Sequence, residues 1–239
     1  SDLTYNSAIK KYFDRPENLV LMGDSIFGFQ NYNQLAQMLQ KISKKRIFNC
    51  GFGGCTMAIR NGNYDVFSFT ALADAITTDN YDWSAQIAKL NLVAVYKERL
   101  AALRDIDWSK PTTILVDYVN NDFSSNIPIG ELWEYTDSAS DWDKTSLLGA
   151  QIYGIKTIVT KYPHIRIVFF TSKWRCLYNN NNILVPPYAY QNGLGKTAVE
   201  YSEAIKENCA RMGVSVFDFL NFGGSNYWNQ AYMMIAPAQ

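Results

Sequence analysis

Asn18-Leu-Val-Leu-Met-Gly-Asp-Ser25 is the stretch from which the fold can be read. Residues 18–22 form a short, nearly continuous apolar run. A strand with one wet face alternates apolar and polar residues, whereas a continuous run belongs to a strand buried on both faces. Four later runs have the same character: 46–50, 113–118, 165–171 and 214–217. Segments of helical period lie between them. Residues 34–42 follow the first strand, 88–103 precede the third, 146–162 the fourth and 197–212 the fifth, where Gly213 supplies a stop. Strand alternating with helix needs right-handed crossovers, and these put helices on both faces of a parallel sheet. The expectation is an α/β protein: a three-layer α/β/α sandwich around a central parallel sheet of about five strands, forming one domain over residues 1–239.

Composition narrows the function. The 239 residues hold 22 Lys+Arg and 22 Asp+Glu, so there is no basic excess with which to neutralise nucleic-acid phosphates. At 48% apolar and 18% charged the chain is not of the disordered class. No run approaches the roughly 18 apolar residues of a membrane span. The beginning, Ser1-Asp2-Leu3, has no basic segment leading into an apolar one, so any secretion signal is removed, absent or outside this stretch. Cys50, Cys55, Cys176 and Cys209 are too sparse for a disulfide scaffold, and no Cys or His spacing suggests a metal. No cofactor is expected.

Two segments exceed a minimal α/β unit. Residues 57–87 follow the second strand and carry Tyr64, Phe67, Phe69, Tyr81 and Trp83. Residues 123–145 follow the third and carry Trp133, Tyr135 and Trp142. Both leave carboxyl ends of strands, where open α/β sheets place their sites. They either cover the sheet or wall a cleft. Tyr and Trp also cluster with Asn at 178–182, 188–192 and 226–232, where flat rings could serve as platforms for sugars.

Three strand ends carry chemistry. The first ends in Gly23-Asp24-Ser25, a tight turn that can expose a serine or let it cap the next helix. The second ends in Asn49-Cys-Gly51-Phe-Gly-Gly54-Cys-Thr56. Its glycines can turn an N–H toward an anion, but it lacks the Lys-Ser/Thr of a phosphate loop and the spacing of a dinucleotide fingerprint. The third runs into Val119-Asn120-Asn121-Asp122, which is either a set of ligand-binding groups or an Asx turn. All three lie at carboxyl ends of parallel strands, so they should meet at one rim.

As a set they resemble the SGNH, or GDSL-type, hydrolases. The first block of that family matches at 23–25. The second matches at Asn49, Gly51, Gly54 and Thr56. The third matches at 119–122, with Val119 where the family has Gly. The resemblance implies the flavodoxin-like fold of that family and Ser25 as nucleophile. It also implies an oxyanion hole made of the Ser25 and Gly54 backbone N–H groups and the Asn121 side-chain amide. Asp24 is expected to orient the turn.

The resemblance then breaks. The family draws its base from an Asp-x-x-His block after the fifth strand, and here that block is missing. The single histidine, His164, lies at the amino end of the fourth strand, roughly 20 Å of strand away from the active rim. It is expected to be a helix-to-strand connector. Either the Asp-x-x-His block and last helix lie beyond Gln239, or the protein lacks the base and only binds. The first case implies an esterase cleaving an acyl ester, acetyl first, from a small molecule or glycan. The second implies an inactive carbohydrate-binding module of a cell-surface or viral tail assembly. Either fits an extracellular, cell-surface or virion-associated protein, with a larger assembly or homo-oligomer as the setting.

Overall fold

The structure, a computed structural model, describes residues 18–28, 34–90, 94–135 and 142–229. Of Gln34, Leu35, Ala94 and Val95 it describes the backbone only. Five strands form the central sheet: β1 (Asn18–Gly23), β2 (Arg46–Gly51), β3 (Thr112–Asp117), β4 (Arg166–Phe170) and β7 (Ser215–Phe217). Their order is β2-β1-β3-β4-β7 and every pairing is parallel. Each of the five expected apolar runs is one of these strands, to within two residues at either end. The double burial follows from alternation. Val20, Met22, Ile114 and Val116 enter one core, while Leu21 and Leu115 between them enter the other.

Helices fill both outer layers. On one face lie α1 (Ser25–Gly28) and α2 (Gln34–Ser43), where Phe27 and Ala36 pack on Leu21. The larger core on the opposite face draws on α3 (Phe69–Thr77), α5 (Ala94–Arg104), α6 (Val119–Ser124), α7 (Leu147–Lys161) and α8 (Ala198–Met212). Side chains cap the two long helices, and Gly213 stops the second as expected. Ser146 accepts from Gly149 N–H to start α7. Thr197 and Glu200 form a reciprocal capping box at α8, and Gly213 ends that helix with φ 67°.

Three details differ from expectation. The helix expected at 88–103 is two helices, α4 (Ser84–Lys89) and α5, with 91–93 between them outside the described residues. The insertion at 57–87 is core rather than cleft wall. It folds into a 3-10 turn (Asp65–Phe67), α3 and α4, and Phe67, Phe69 and Leu72 are fully buried under the sheet. Tyr64 and Arg60 of this insertion nevertheless reach the rim, the Tyr64 ring facing Gly54 and Arg60 bonding Gly54 O. The second insertion passes the start of α7, where Leu147 N–H donates to Pro128 O, and reaches α8, where Trp133 N–H donates to the buried Asn208 Oδ1; residues 136–141 lie outside the described residues. A small antiparallel hairpin, β5 (Leu177–Tyr178) with β6 (Leu184–Val185), had no separate signal in the sequence. It leaves β4 at its carboxyl end. The excursion is then tied to the end of α6, with Asn192 Nδ2 donating to Phe123 O and Gly193 N–H to Asn126 Oδ1. The last helix among the described residues, α9 (Phe219–Phe222), directly follows β7.

Candidate active site

The first turn is built by backbone and carboxylate. Asp24 N–H donates to Asp117 O on the neighbouring strand, at 3.0 Å. Asp24 Oδ1 in turn accepts from Ile26 N–H at 2.7 Å. Asp24 therefore caps α1. That leaves Ser25, half-buried, with a hydroxyl that has no hydrogen-bond partner among the described residues. Its backbone N–H opens a helix and has none either.

The second turn runs alongside it. Phe52 N–H donates to Gly23 O at 2.8 Å, and Asn49 braces the base of the turn through Gly51 N–H at 3.1 Å and Phe27 O at 2.9 Å. A Cβ at Gly53 would sit 3.5 Å from Ser25 Cβ and only 2.5 Å from Tyr96 Oη, so any other residue there would displace the Tyr96 hydroxyl. Gly54 adopts φ +78°, a region costly to residues with a Cβ. Gly53 N–H donates to Tyr96 Oη at 2.6 Å. Gly54 N–H has no partner among the described residues, so the turn offers one amide rather than a cradle. Two arginines grip the same turn: Arg99 through Gly51 O, and Arg60 through Gly54 O at 2.8 Å, with a second Arg60 nitrogen on Ser125 Oγ.

The third turn is not a local Asx turn, because its polar side chains all reach other segments. Asn121 Nδ2 donates to Cys55 O at 2.8 Å, which leaves its second N–H unused. Asp122 accepts from Met57 N–H at 2.8 Å and Ala58 N–H at 3.1 Å. Asn120 Oδ1 accepts from Ser172 Oγ at 2.7 Å. Val119, where a glycine was expected, is fully buried and opens α6. Ser25 therefore borders the glycine turn, and Asn121 is bonded to the residue that follows it. Burial pushes the Asp122 carboxyl up to about 7, against the pull of its two N–H donors.

Carboxylates also gather next to Ser25. Asp24 Oδ2 and Asp117 Oδ1 are buried without a hydrogen bond. Burial pushes Asp24 up to about 7, opposed by the Ile26 N–H, Lys173 and Arg175. Asp117 is raised well above the usual range, first by burial and then by the Asp24 charge. Lys173 and Arg175, just past β4, face the two carboxylates, and desolvation lowers both cations. Among the described residues no ion pair within 4.0 Å joins the four.

His164 is where the sequence placed it. It is buried at the amino end of β4, with Nε2 3.1 Å from Trp108 O, at the opposite edge of the sheet from Ser25. Asp218, the first carboxylate after β7, is engaged with Asn221 and Lys206. A cavity of about 360 Å³ lies near His164, lined by Trp133, Lys156, Ile167 and Val214, well away from Ser25. Among the described residues no cluster could hold a metal ion, and no helix is long and apolar enough to cross a membrane. Sequence reasoning missed Tyr96, Arg99, Arg60, Lys173 and Arg175. Tyr96 and Arg99 are three apart, hence on one helix face, and that shared stripe was the available signal.

No family model matches the chain, and no curated protein does. Solved structures do. One is 25% identical over 87% of this chain and 80% of its own, with a TM-score of 0.60. A protein from Lactobacillus plantarum is 20% identical, covering 93% of this chain and 86% of that one, with a TM-score of 0.61. A third, described as a possible lipase from Chitinophaga pinensis, is 18% identical over 85% and 68%, with a TM-score of 0.53. The chain has the three-layer α/β/α fold of the SGNH, or GDSL-type, hydrolases.

Proposed function

We propose that the protein is a serine ester hydrolase of the SGNH type, removing an acyl group, acetyl first, from a small molecule or glycan. The observation that carries this reading is the unpartnered hydroxyl of Ser25 at the rim that also holds the free Gly54 N–H and the half-used Asn121 amide. Neutral donors of this kind stabilise a developing oxyanion without themselves needing to reorganise. In the proposed step Ser25 Oγ bonds to the acyl carbon and the carbonyl electron pair moves onto its oxygen. Ser25 N–H, Gly54 N–H and Asn121 Nδ2 would hold that oxygen. Collapse expels the alcohol, and water then releases the acid. The serine proton needs an acceptor, and His164 is at the wrong edge of the sheet to be one. Without a base, these 239 residues should turn over slowly, because oxyanion donors alone retain only part of the catalysis.

The test is hydrolysis of 4-nitrophenyl acetate by the chain and by Ser25→Ala. Hydrolysis above buffer that the substitution abolishes is expected; equal rates in both proteins would refute the reading. One further reading has an observation behind it. The misplaced histidine, with Tyr178 and Tyr188 exposed to 64% and 68% on the excursion after β4, also fits a catalytically inactive glycan-binding module of a cell-surface or viral tail assembly. Retained glycan binding with no ester cleavage under any condition would favour that reading.

A further inference from the structure

We infer that Tyr96, on α5 and outside all three motif blocks, is a positioning residue for the oxyanion site, acting through the Gly53–Gly54 turn. The inference rests on the hydrolase reading. Three observations carry it. Tyr96 Oη accepts from Gly53 N–H at 2.6 Å, so the peptide just before the free Gly54 N–H is held by a side chain from another layer of the fold. The hydroxyl also lies 2.5 Å from where a Gly53 Cβ would sit, a point that is itself 3.5 Å from Ser25 Cβ, so Tyr96 closes on the turn where it borders Ser25. Finally, the helix that carries Tyr96 grips the turn twice. Arg99, one turn further along α5, donates to Gly51 O, so one rigid element fixes both a carbonyl and an N–H of the same four residues.

The rest of the tyrosine explains why it can do this. Its ring packs edge-on against Phe52 at 5.5 Å and against Phe67, so the hydroxyl arrives on a stiff lever. Burial raises its pKa, ahead of the opposing pull from Gly53 N–H, and the hydroxyl stays protonated. An oxygen that has accepted from Gly53 still carries its own proton. That proton has no acceptor among the described residues, so the group remains neutral and available at the rim. Arg60 completes the hold from outside by pulling on Gly54 O. A glycine turn is otherwise the most pliable backbone available, and an oxyanion donor loses its value when its direction wanders.

The experiment compares the full chain with Tyr96→Phe, which keeps the ring and removes only the hydroxyl. Phenylboronic acid is the probe, since it forms a tetrahedral anionic adduct on a serine without requiring turnover. We expect the variant to bind it about tenfold more weakly, equivalent to about 1.4 kcal/mol. For 4-nitrophenyl acetate we expect kcat to fall with KM held. Amide exchange at Gly53 should accelerate while the unfolding midpoint changes little. Equal boronate affinity and equal kcat in the two proteins overturn the inference, as does a loss confined to the melting point. If the unmodified chain binds boronate no better than Ser25→Ala, the hydrolase reading has failed and the role assigned to Tyr96 goes with it. Gly53 exchange then reports only a structural hydrogen bond.

Discussion

The two flanks of Ser25 are built on opposite plans. Toward β2, neutral and singly charged groups hold a backbone turn by direct hydrogen bonds: Tyr96 on Gly53 N–H, Arg99 on Gly51 O and Arg60 on Gly54 O. Toward β4, four ionisable side chains face one another with no ion pair within 4.0 Å among them. Asp24 and Asp117 each keep an unbonded buried oxygen, with Lys173 and Arg175 in their field. The first flank fixes geometry and is insensitive to protonation. The second sets a local potential, and its state depends on pH. Donor placement and charge are thus assigned to different strands, and changes on the two sides should separate in experiment.

The largest expected effect comes from the donor side. Asn121→Ala should lower kcat about 10²- to 10³-fold in the aryl acetate assay, the usual loss when one oxyanion donor is removed. An unchanged kcat would show that its bond to Cys55 O is its whole role. Next comes the strut beneath that donor. Asp122→Ala leaves the Met57 and Ala58 N–H groups buried without acceptors and should cost about 2–4 kcal/mol in urea unfolding. A cost below about 0.5 kcal/mol would mean the loop relaxes to find water.

A pH series addresses the charged side. Asp24 and Asp122 are raised to about 7 and Asp117 is raised as well. Folded carboxyls with raised pKa values bind more protons than the unfolded chain between about pH 4 and 7. Their contribution is therefore most favourable at low pH and declines through that window. The urea midpoint should fall from pH 5 to pH 8, and Asp117→Asn should flatten the slope. A slope that Asp117→Asn leaves unchanged would place the titration elsewhere. The smallest effect is expected from His164→Gln, which should leave hydrolysis unchanged and alter stability by at most about 1 kcal/mol. Lost activity there would break the assignment of His164 to the far edge.

Most of the fold was legible because both-face burial leaves a local mark. Continuous runs became β1 to β4 and β7, and Gly213 announced the end of α8. The glycines of the first two turns left a local mark for a similar reason, while the amides of the third, which bond distant segments, stood out only through the family resemblance. The supports of the site were less legible. Tyr96 and Arg60 lie 43 and six residues from the turn atoms they bind, and the helical spacing of Tyr96 with Arg99 was the one local hint of their role. The 57–87 insertion was ambiguous because Phe67 and Phe69 would look alike in a core and in a cleft wall. The Asp24–Asp117 cluster was invisible because two sequence-distant carboxylates become neighbours only once β1 and β3 pair in register, with Gly23 opposite Asp117.

The hairpin between β4 and α8 has a mechanical consequence. Its upstream arm is continuous with the sheet, and its downstream arm is stitched to α6 by Asn192 and Gly193. A protease clipping the exposed tip near Asn181 would therefore sever the covalent chain without freeing either piece. The two fragments should migrate together under native conditions and part only in denaturant.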